Sequence, residues 1–204
     1  MFTGIVRGLG EIVEWAGHGD TRRLVVATEL PVANVPLGAS MGVNGVCLTV
    51  VDRGPGRFAA DVGPETLART TFAERRVGDR VHLEPPLAVG DELGGHMVSG
   101  HVDGVGVIAV SRPRGESLDL EIEAPPEIAG LQVPKGSITV DGVSLTVNTV
   151  VGARFGVTLI PHTMLVTLLA RHPVGTRVNL EADLIAKHVD RLVSHFLRSR
   201  GAPS

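Results

Sequence analysis

The chain of 204 residues carries 19 Lys and Arg against 22 Asp and Glu, a net charge of −3, and 43% of it is hydrophobic. Balanced charge without a basic cluster argues against a nucleic-acid partner, and one Trp, five Phe and no Tyr supply little for base stacking. The single cysteine, Cys47, precludes an intrachain disulfide. No stretch approaches the roughly 18 apolar residues of a membrane span, and the start lacks a signal-peptide pattern, so the chain reads as soluble and cytoplasmic.

Glycine (26) and proline (13) punctuate short runs rich in Val, Ile, Leu and Thr, the texture of an all-β protein. The first strand candidate covers residues 23–28. Asn44-Gly45 then separates two β-prone runs, and both residues tolerate positive φ, which predicts a type I′ hairpin. Pro64-Glu65-Thr66-Leu67 predicts a short helix, because proline in a first turn sacrifices no hydrogen bond. A Pro- and Gly-rich link over residues 84–95 follows, then a strand over 105–111.

Leu118-Asp119-Leu120-Glu121-Ile122-Glu123 alternates aliphatics with carboxylates, as a half-buried strand does. Asp141-Gly142 predicts a second I′ hairpin, residues 154–160 another strand, and Pro161-His162-Thr163-Met164 a second short helix. In the tail, Asp183 can cap a helix over 183–200. Ile185, Val189, Leu192, Val193 and Phe196 form an apolar stripe on it, which predicts a homo-oligomer contact.

These elements occur twice. Ser40-Met41-Gly42-Val43-Asn44-Gly45-Val46-Cys47-Leu48-Thr49-Val50 returns 97 residues later as Ser137-Ile138-Thr139-Val140-Asp141-Gly142-Val143-Ser144-Leu145-Thr146-Val147. Val77-Gly78-Asp79-Arg80-Val81-His82-Leu83-Glu84 returns as Val174-Gly175-Thr176-Arg177-Val178-Asn179-Leu180-Glu181, and residues 1–8 match 97–104 at a shift of 96. The chain is therefore a duplicated domain, with boundaries at 1–96 and 97–204. Six short strands and one short helix per half predict two small closed barrels, since closure removes sheet edges.

No metal motif appears: eight histidines are scattered, His96 and His101 are five apart, a spacing that does not favour a shared ligand position, and His188 with His195 lacks a third partner. Gly100-His101-Val102-Asp103-Gly104-Val105-Gly106 lacks the Lys-Ser/Thr of a phosphate loop and reads as a strand bent by glycines. Matched polar residues remain. Cys47 and Thr49 correspond to Ser144 and Thr146, each pair pointing to one strand face, where either ligand contact or a bond to neighbouring backbone would account for them. The halves differ where Cys47 faces Ser144, Ile5 faces His101 and Glu65 faces His162 in the alignment, so two copies of one ligand could be made chemically unequal.

Met1-Phe2-Thr3-Gly4-Ile5-Val6, Asn44-Gly45-Val46-Cys47-Leu48-Thr49-Val50, Gly95-His96-Met97-Val98-Ser99-Gly100-His101-Val102-Asp103-Gly104 and residues 135–146 resemble the signature segments of riboflavin synthase of the α-chain type, and the likeness runs to about residue 198. The resemblance implies two six-stranded Greek-key barrels, a C-terminal helix and a homotrimer, and leaves open whether the trimer joins a larger complex with lumazine synthase. It implies one 6,7-dimethyl-8-ribityllumazine per barrel, with active sites between the N-terminal barrel of one subunit and the C-terminal barrel of the next. A four-carbon unit would pass between the two lumazines, giving riboflavin and 5-amino-6-(D-ribitylamino)uracil, with no metal or redox cofactor. Such a pteridine can acidify its own 7-methyl group, and orienting two rings can contribute about 7–11 kcal/mol.

Carried over by position, the first pocket would use Gly4, Ile5, Val6, Cys47, Leu48, Thr49, Asp61, Val62, Gly63, Pro64, Glu65 and Thr66. The second would use Gly100, His101, Val102, Lys135, Ser144, Leu145, Thr146, Thr158, Leu159, Ile160, Pro161, His162 and Thr163. His101 is the expected proton-transfer group, Ser144 and Cys47 would bond or add to the ring, Phe2 would shape the site and His96 would support it. The rival expectation is a non-catalytic relative that binds a lumazine or flavin as a fluorophore. Retention of Ser144, Thr146 and His101 favours the enzyme.

Overall fold

The computed structural model describes residues 1–201, except the side chains of His18 and Arg200; residues 202–204, which end the expected second domain, lie outside the described residues. The first half contains β1 (Gly8–His18), β2 (Thr21–Thr28), β3 (Ser40–Val43), β4 (Val46–Gly54), β5 (Arg57–Val62) and β6 (Arg80–Glu84). The second contains β7 (Gly104–Arg114), β8 (Ser117–Glu123), β9 (Ser137–Val140), β10 (Val143–Val151), β11 (Arg154–Leu159) and β12 (Arg177–Ala182). Each set closes into an antiparallel barrel. The first runs β1-β2-β5-β4-β3-β6, and the second follows the same order round the ring from β7. These are the expected Greek-key barrels.

Alternation builds each core. Leu24 and Val26 on β2, Val46, Leu48 and Val50 on β4, and Phe58, Ala60 and Val62 on β5 fill the first barrel. Leu120, Ile122, Val143, Leu145, Val147, Phe155, Val157 and Leu159 fill the second. The closing curvature is concentrated at paired irregularities: register shifts at Ile12/Glu14 and Val50/Asp52 return at Ile108/Val110 and Val147/Thr149.

Pro64 and Pro161 start the two expected helices, α1 (Pro64–Arg69) and α3 (Pro161–Val166). Between them lies a single turn not anticipated from the sequence, α2 (Pro126–Ala129). The tail forms α4 (Leu184–Gly201), whose first turn is capped by Asp183 Oδ1 accepting from Ile185 N at 2.8 Å. Its stripe is uncovered: Ile185, Val189, Leu192, Val193, Phe196 and Leu197 are 51–68% exposed. Among the described residues no helix is long and apolar enough to cross a membrane.

The barrels meet through their hairpin tips. Asn44 and Gly45 (φ 45° and 79°) and Asp141 and Gly142 (φ 46° and 78°) make the two predicted I′ turns, and a Cβ on Gly142 would lie 2.6 Å from Gly45 N. Side chains then bracket the contact across a pseudo-two-fold axis. Asn179 Nδ2 donates to Asn44 O (2.9 Å), while its Oδ1 accepts from Thr71 N (2.8 Å). At the equivalent position His82 Nδ1 donates to Asp141 O (2.8 Å) and Nε2 accepts from Leu168 N (2.7 Å).

The histidine thus does the work of an amide, and does it only when neutral. Burial lowers the His82 pKa most; Asp141 opposes that, whereas His172 and Arg75 reinforce it. A folded-state pKa below the unfolded value means that the stability contribution is complete above about pH 6.5 and is lost as pH falls through the folded value. His82→Asn, which imitates Asn179, is therefore expected to keep the bracket and flatten the acid limb of stability, by up to about 1.4 kcal/mol per pH unit. Denaturant melts between pH 7 and 5 check this, and parallel slopes for the two proteins would count against it.

Candidate active site

Each barrel's polar strand face is completed by the other repeat. The leading segments, residues 1–7 and 97–103, run antiparallel past one another on the axis, joined by Phe2 N to Val98 O (2.8 Å) and Val98 N to Phe2 O (3.1 Å). Each therefore arrives at the opposite barrel. Gly100 O accepts from Cys47 N (2.8 Å), and Gly4 O accepts from Ser144 N (2.7 Å). Val102 packs against the first barrel's core and Val6 against the second's. The grouping expected from the sequence is thus exchanged: Gly100, His101 and Val102 belong with Cys47, and Gly4, Ile5 and Val6 belong with Ser144. The repeat identifies equivalent positions but not which copy meets which, and the bridge on the axis decides that.

Two buried carboxylates hold the segments in place. Glu84, at the end of β6, accepts from Thr3 N (2.7 Å), Thr3 Oγ1 (2.8 Å) and Gly4 N (3.0 Å). Glu181, on β12, repeats this with Ser99 N (2.9 Å), Ser99 Oγ (2.6 Å) and Gly100 N (3.0 Å). Burial raises both carboxyl pKa values, and the same hydrogen bonds oppose the rise. The turns they fix need glycine: Gly4 and Gly100 have φ of 75° and 80°, and a Cβ on Gly100 would sit 2.7 Å from Cys47 Cβ.

The first cleft has a volume of about 410 Å³, within the range of a small-molecule site. Cys47 and Val46 of β4 form one wall, Glu65, Thr66 and Arg69 of α1 another, and Gly100 to Asp103 of the visiting segment the third. His101 stands exposed at this cleft, its backbone N accepted by Ser99 Oγ (3.2 Å). Arg69 Nε pairs with Glu65 at 3.0 Å across one helical turn.

At the equivalent strand of the second barrel, Ser144 Oγ lies 2.8 Å from His96 Nδ1, and His96 N donates to Thr3 O (3.1 Å). The linker residue and the visiting N-terminus thereby converge on the hydroxyl. Burial lowers the His96 pKa, with the nearby Asp183 opposing, so the imidazole stays neutral to a lower pH than an exposed histidine and can accept a proton from Ser144. His162 and Thr163 open α3 beside this barrel, as Glu65 and Thr66 open α1. Lys135 is exposed, in a left-handed turn (φ 70°) with its N–H on Val147 O (2.7 Å).

Other expected site residues are placed differently. Leu48, Val62, Leu145 and Leu159 point into the cores, so at most their backbone faces a ligand. The Asp61 side chain is taken up by Arg23 (3.1 Å). Thr158 Oγ1 donates to Asp119 (2.5 Å) and accepts from Asn148 Nδ2 (2.9 Å) in a separate depression. Phe2 is buried under Gly100 rather than standing in the cleft. Thr49 and Thr146 are exposed on the same strand faces as Cys47 and Ser144. Pro64 and Pro161 start helices, and Gly63 and Ile160 precede them as extended residues.

Sequence reasoning missed Glu84, Glu181, Arg69 and Asp103 as site builders. The glutamates had left a signal, the recurrence of Leu-Glu at 83–84 and 180–181, but a matched carboxylate reads as an ordinary strand end until its partners are known. Among the described residues no three His, Cys, Asp or Glu side chains gather as a metal ligand set.

The lumazine binding domain model matches this chain twice, over residues 3–85 and 99–183. The riboflavin synthase of Mycobacterium bovis is 48% identical over 198 residues, 95% of this chain and 98% of that one. That of Photobacterium phosphoreum is 42% identical over 194 residues, covering 95% and 89%. Among solved structures, LumP complexed with riboflavin aligns with a TM-score of 0.82 at 27% identity over 89% of this chain and 99% of that one. LumP complexed with 6,7-dimethyl-8-(1'-D-ribityl) lumazine gives 0.80 at 26%, with the same coverage. Two matches to one domain, in two barrels of one topology, and near-complete alignment with named enzymes lead to one statement: the chain belongs to the riboflavin synthase family.

Proposed function

We propose that this protein converts two molecules of 6,7-dimethyl-8-ribityllumazine into riboflavin and 5-amino-6-(D-ribitylamino)uracil. The observation that carries the reading is the duplication of the site: two equivalent strand faces, each roofed by the other repeat, carry different polar groups, Cys47 and His101 on one and Ser144 and His96 on the other. A reaction between two identical molecules needs such matched but unequal holders. The two products contain all the atoms of the two substrates, so no water, oxidant or reductant is consumed. His101 moves a proton at the 7-methyl carbon of the ring held on the first barrel, whose anion the ring itself delocalises. Ser144, giving its proton to His96, bonds or adds to the ring on the second. The single thiol supports a cytoplasmic setting.

Ring meets ring only if two clefts face each other, and the uncovered stripe of α4 supports a homotrimer in which the first barrel of one subunit opposes the second barrel of the next. Phe196→Asp is expected to shift the molar mass of the assembly to that of one chain. It should also lower turnover at least about tenfold while each chain still binds lumazine, because a charge in a desolvated apolar contact is costly. Light scattering beside a turnover assay checks both outcomes, and an intact assembly would remove α4 from the interface.

The test of the activity is incubation of the protein with 6,7-dimethyl-8-ribityllumazine alone. Riboflavin fluorescence should rise with no other addition, and titration should give two bound lumazines per chain. Lumazine bound at one per chain, with no riboflavin formed, would identify a carrier instead.

A further inference from the structure

The segment that brings His101 to the first cleft is anchored in a way its counterpart is not. Asp103 N donates to Leu180 O (2.9 Å), just as Arg7 N donates to Leu83 O (2.9 Å) in the first repeat. Beyond that backbone bond the two diverge. Asp103 Oδ2 accepts from Ala182 N at 2.8 Å, and its carboxylate holds Lys187 Nζ of α4 at 2.7–2.8 Å, both side chains being about three-quarters buried. At the equivalent places the first repeat has Arg7, a cation, and Pro85, which has no N–H to give. Lys187 also lies near Glu181, whose buried carboxylate holds Ser99 and Gly100. The ammonium on α4 thus pairs with Asp103 and also favours the charged form of Glu181, the two carboxylates that fix residues 99–103.

We propose that Asp103 and Lys187 are positioning residues through which the C-terminal helix sets the place of His101 in the first cleft, a link with no counterpart on the Ser144 side among the described residues. The inference rests on reading the clefts as lumazine sites. Its physical basis is that a side chain two residues from the anchor inherits any slack in it, and a shift of about 1 Å at a reacting group costs up to about 10²-fold in rate. The helix then has two tasks, one towards neighbouring subunits and one towards a single cleft.

Asp103→Asn, Lys187→Met, the double variant and Lys187→Arg, each in the full chain, test this. Turnover, lumazine titration, molar mass and thermal midpoint are the readouts. Each single change is expected to lower kcat about tenfold with KM moving less than about threefold, and to weaken one of the two lumazine sites while sparing the other. The double variant should be no worse than the poorer single, and Lys187→Arg should recover most of the loss. Single variants within about twofold of the parent, equal weakening of both sites, or a loss that follows dissociation or unfolding would each overturn the proposal. If the parent binds two lumazines yet forms no riboflavin, the proposed activity fails alone, and selective weakening of one site still decides the coupling.

Discussion

Replacing Ser144 with alanine is expected to lower turnover about 10²–10³-fold while two lumazines still bind per chain. The hydroxyl is held at 2.8 Å by His96 Nδ1, and both groups are fixed by backbone bonds to the visiting N-terminus, Ser144 N to Gly4 O and His96 N to Thr3 O. Such a pair is preorganised, so the loss should appear in kcat more than in KM. His96→Ala is expected to cost a similar amount, and the double variant little more than either single, because the two act as one unit. Cys47→Ser, which places in the first half what the second already has, should cost far less.

The pH profile supplies an independent check. Burial lowers the His96 pKa, so the contribution of His96 to the acid limb of kcat should fall below the ordinary histidine range and be lost in His96→Ala. Full turnover in Ser144→Ala would leave the reaction to the rings and to His101, with the serine only a strand residue bonded to its neighbour.

Gly142→Ala is expected to destabilise the fold by about 2–4 kcal/mol, lowering the melting midpoint by roughly 5–15 °C. Two costs combine. The residue has φ of 78°, where a Cβ crowds its own carbonyl, and that Cβ would lie 2.6 Å from Gly45 N and 2.8 Å from Gly45 Cα. Neither neighbour is a flexible side-chain end that can swing away. Both belong to the other hairpin tip, so relief requires the barrels to part, which would also break the brackets from His82 and Asn179. Gly152→Ala separates the two costs, since φ there is 59° but nothing lies within 4 Å of the added carbon. It should lose only about 1 kcal/mol. Equal losses at both glycines would mean that the tips do not meet as described.

Much of this architecture was legible because it depends on short-range rules. Asn-Gly and Asp-Gly fix φ locally, Pro-x-Thr starts a turn of helix locally, and alternation in 118–123 follows from the two-residue period of a strand. The repeat then made each reading twice, and the comparison of Cys47 with Ser144 and Ile5 with His101 came directly from it. The tail stripe was equally plain, and α4 leaves it exposed as the pattern implied.

What could not be read was partnership across the axis. The sequence by itself determined that there are two barrels, where their hairpins turn and which polar residues are equivalent, because each of these is set by contacts within a few residues or within one sheet. Only the tertiary structure decided that each repeat's leading segment covers the other's polar strand face, that Glu84 and Glu181 hold the crossing segments, and that His96 reaches Ser144. A duplicated chain offers two copies of every long-range partner with almost the same chemistry, so local pattern cannot choose between them. The choice falls to the antiparallel bridge between Phe2 and Val98 and to the packing of Val6 and Val102 against opposite cores.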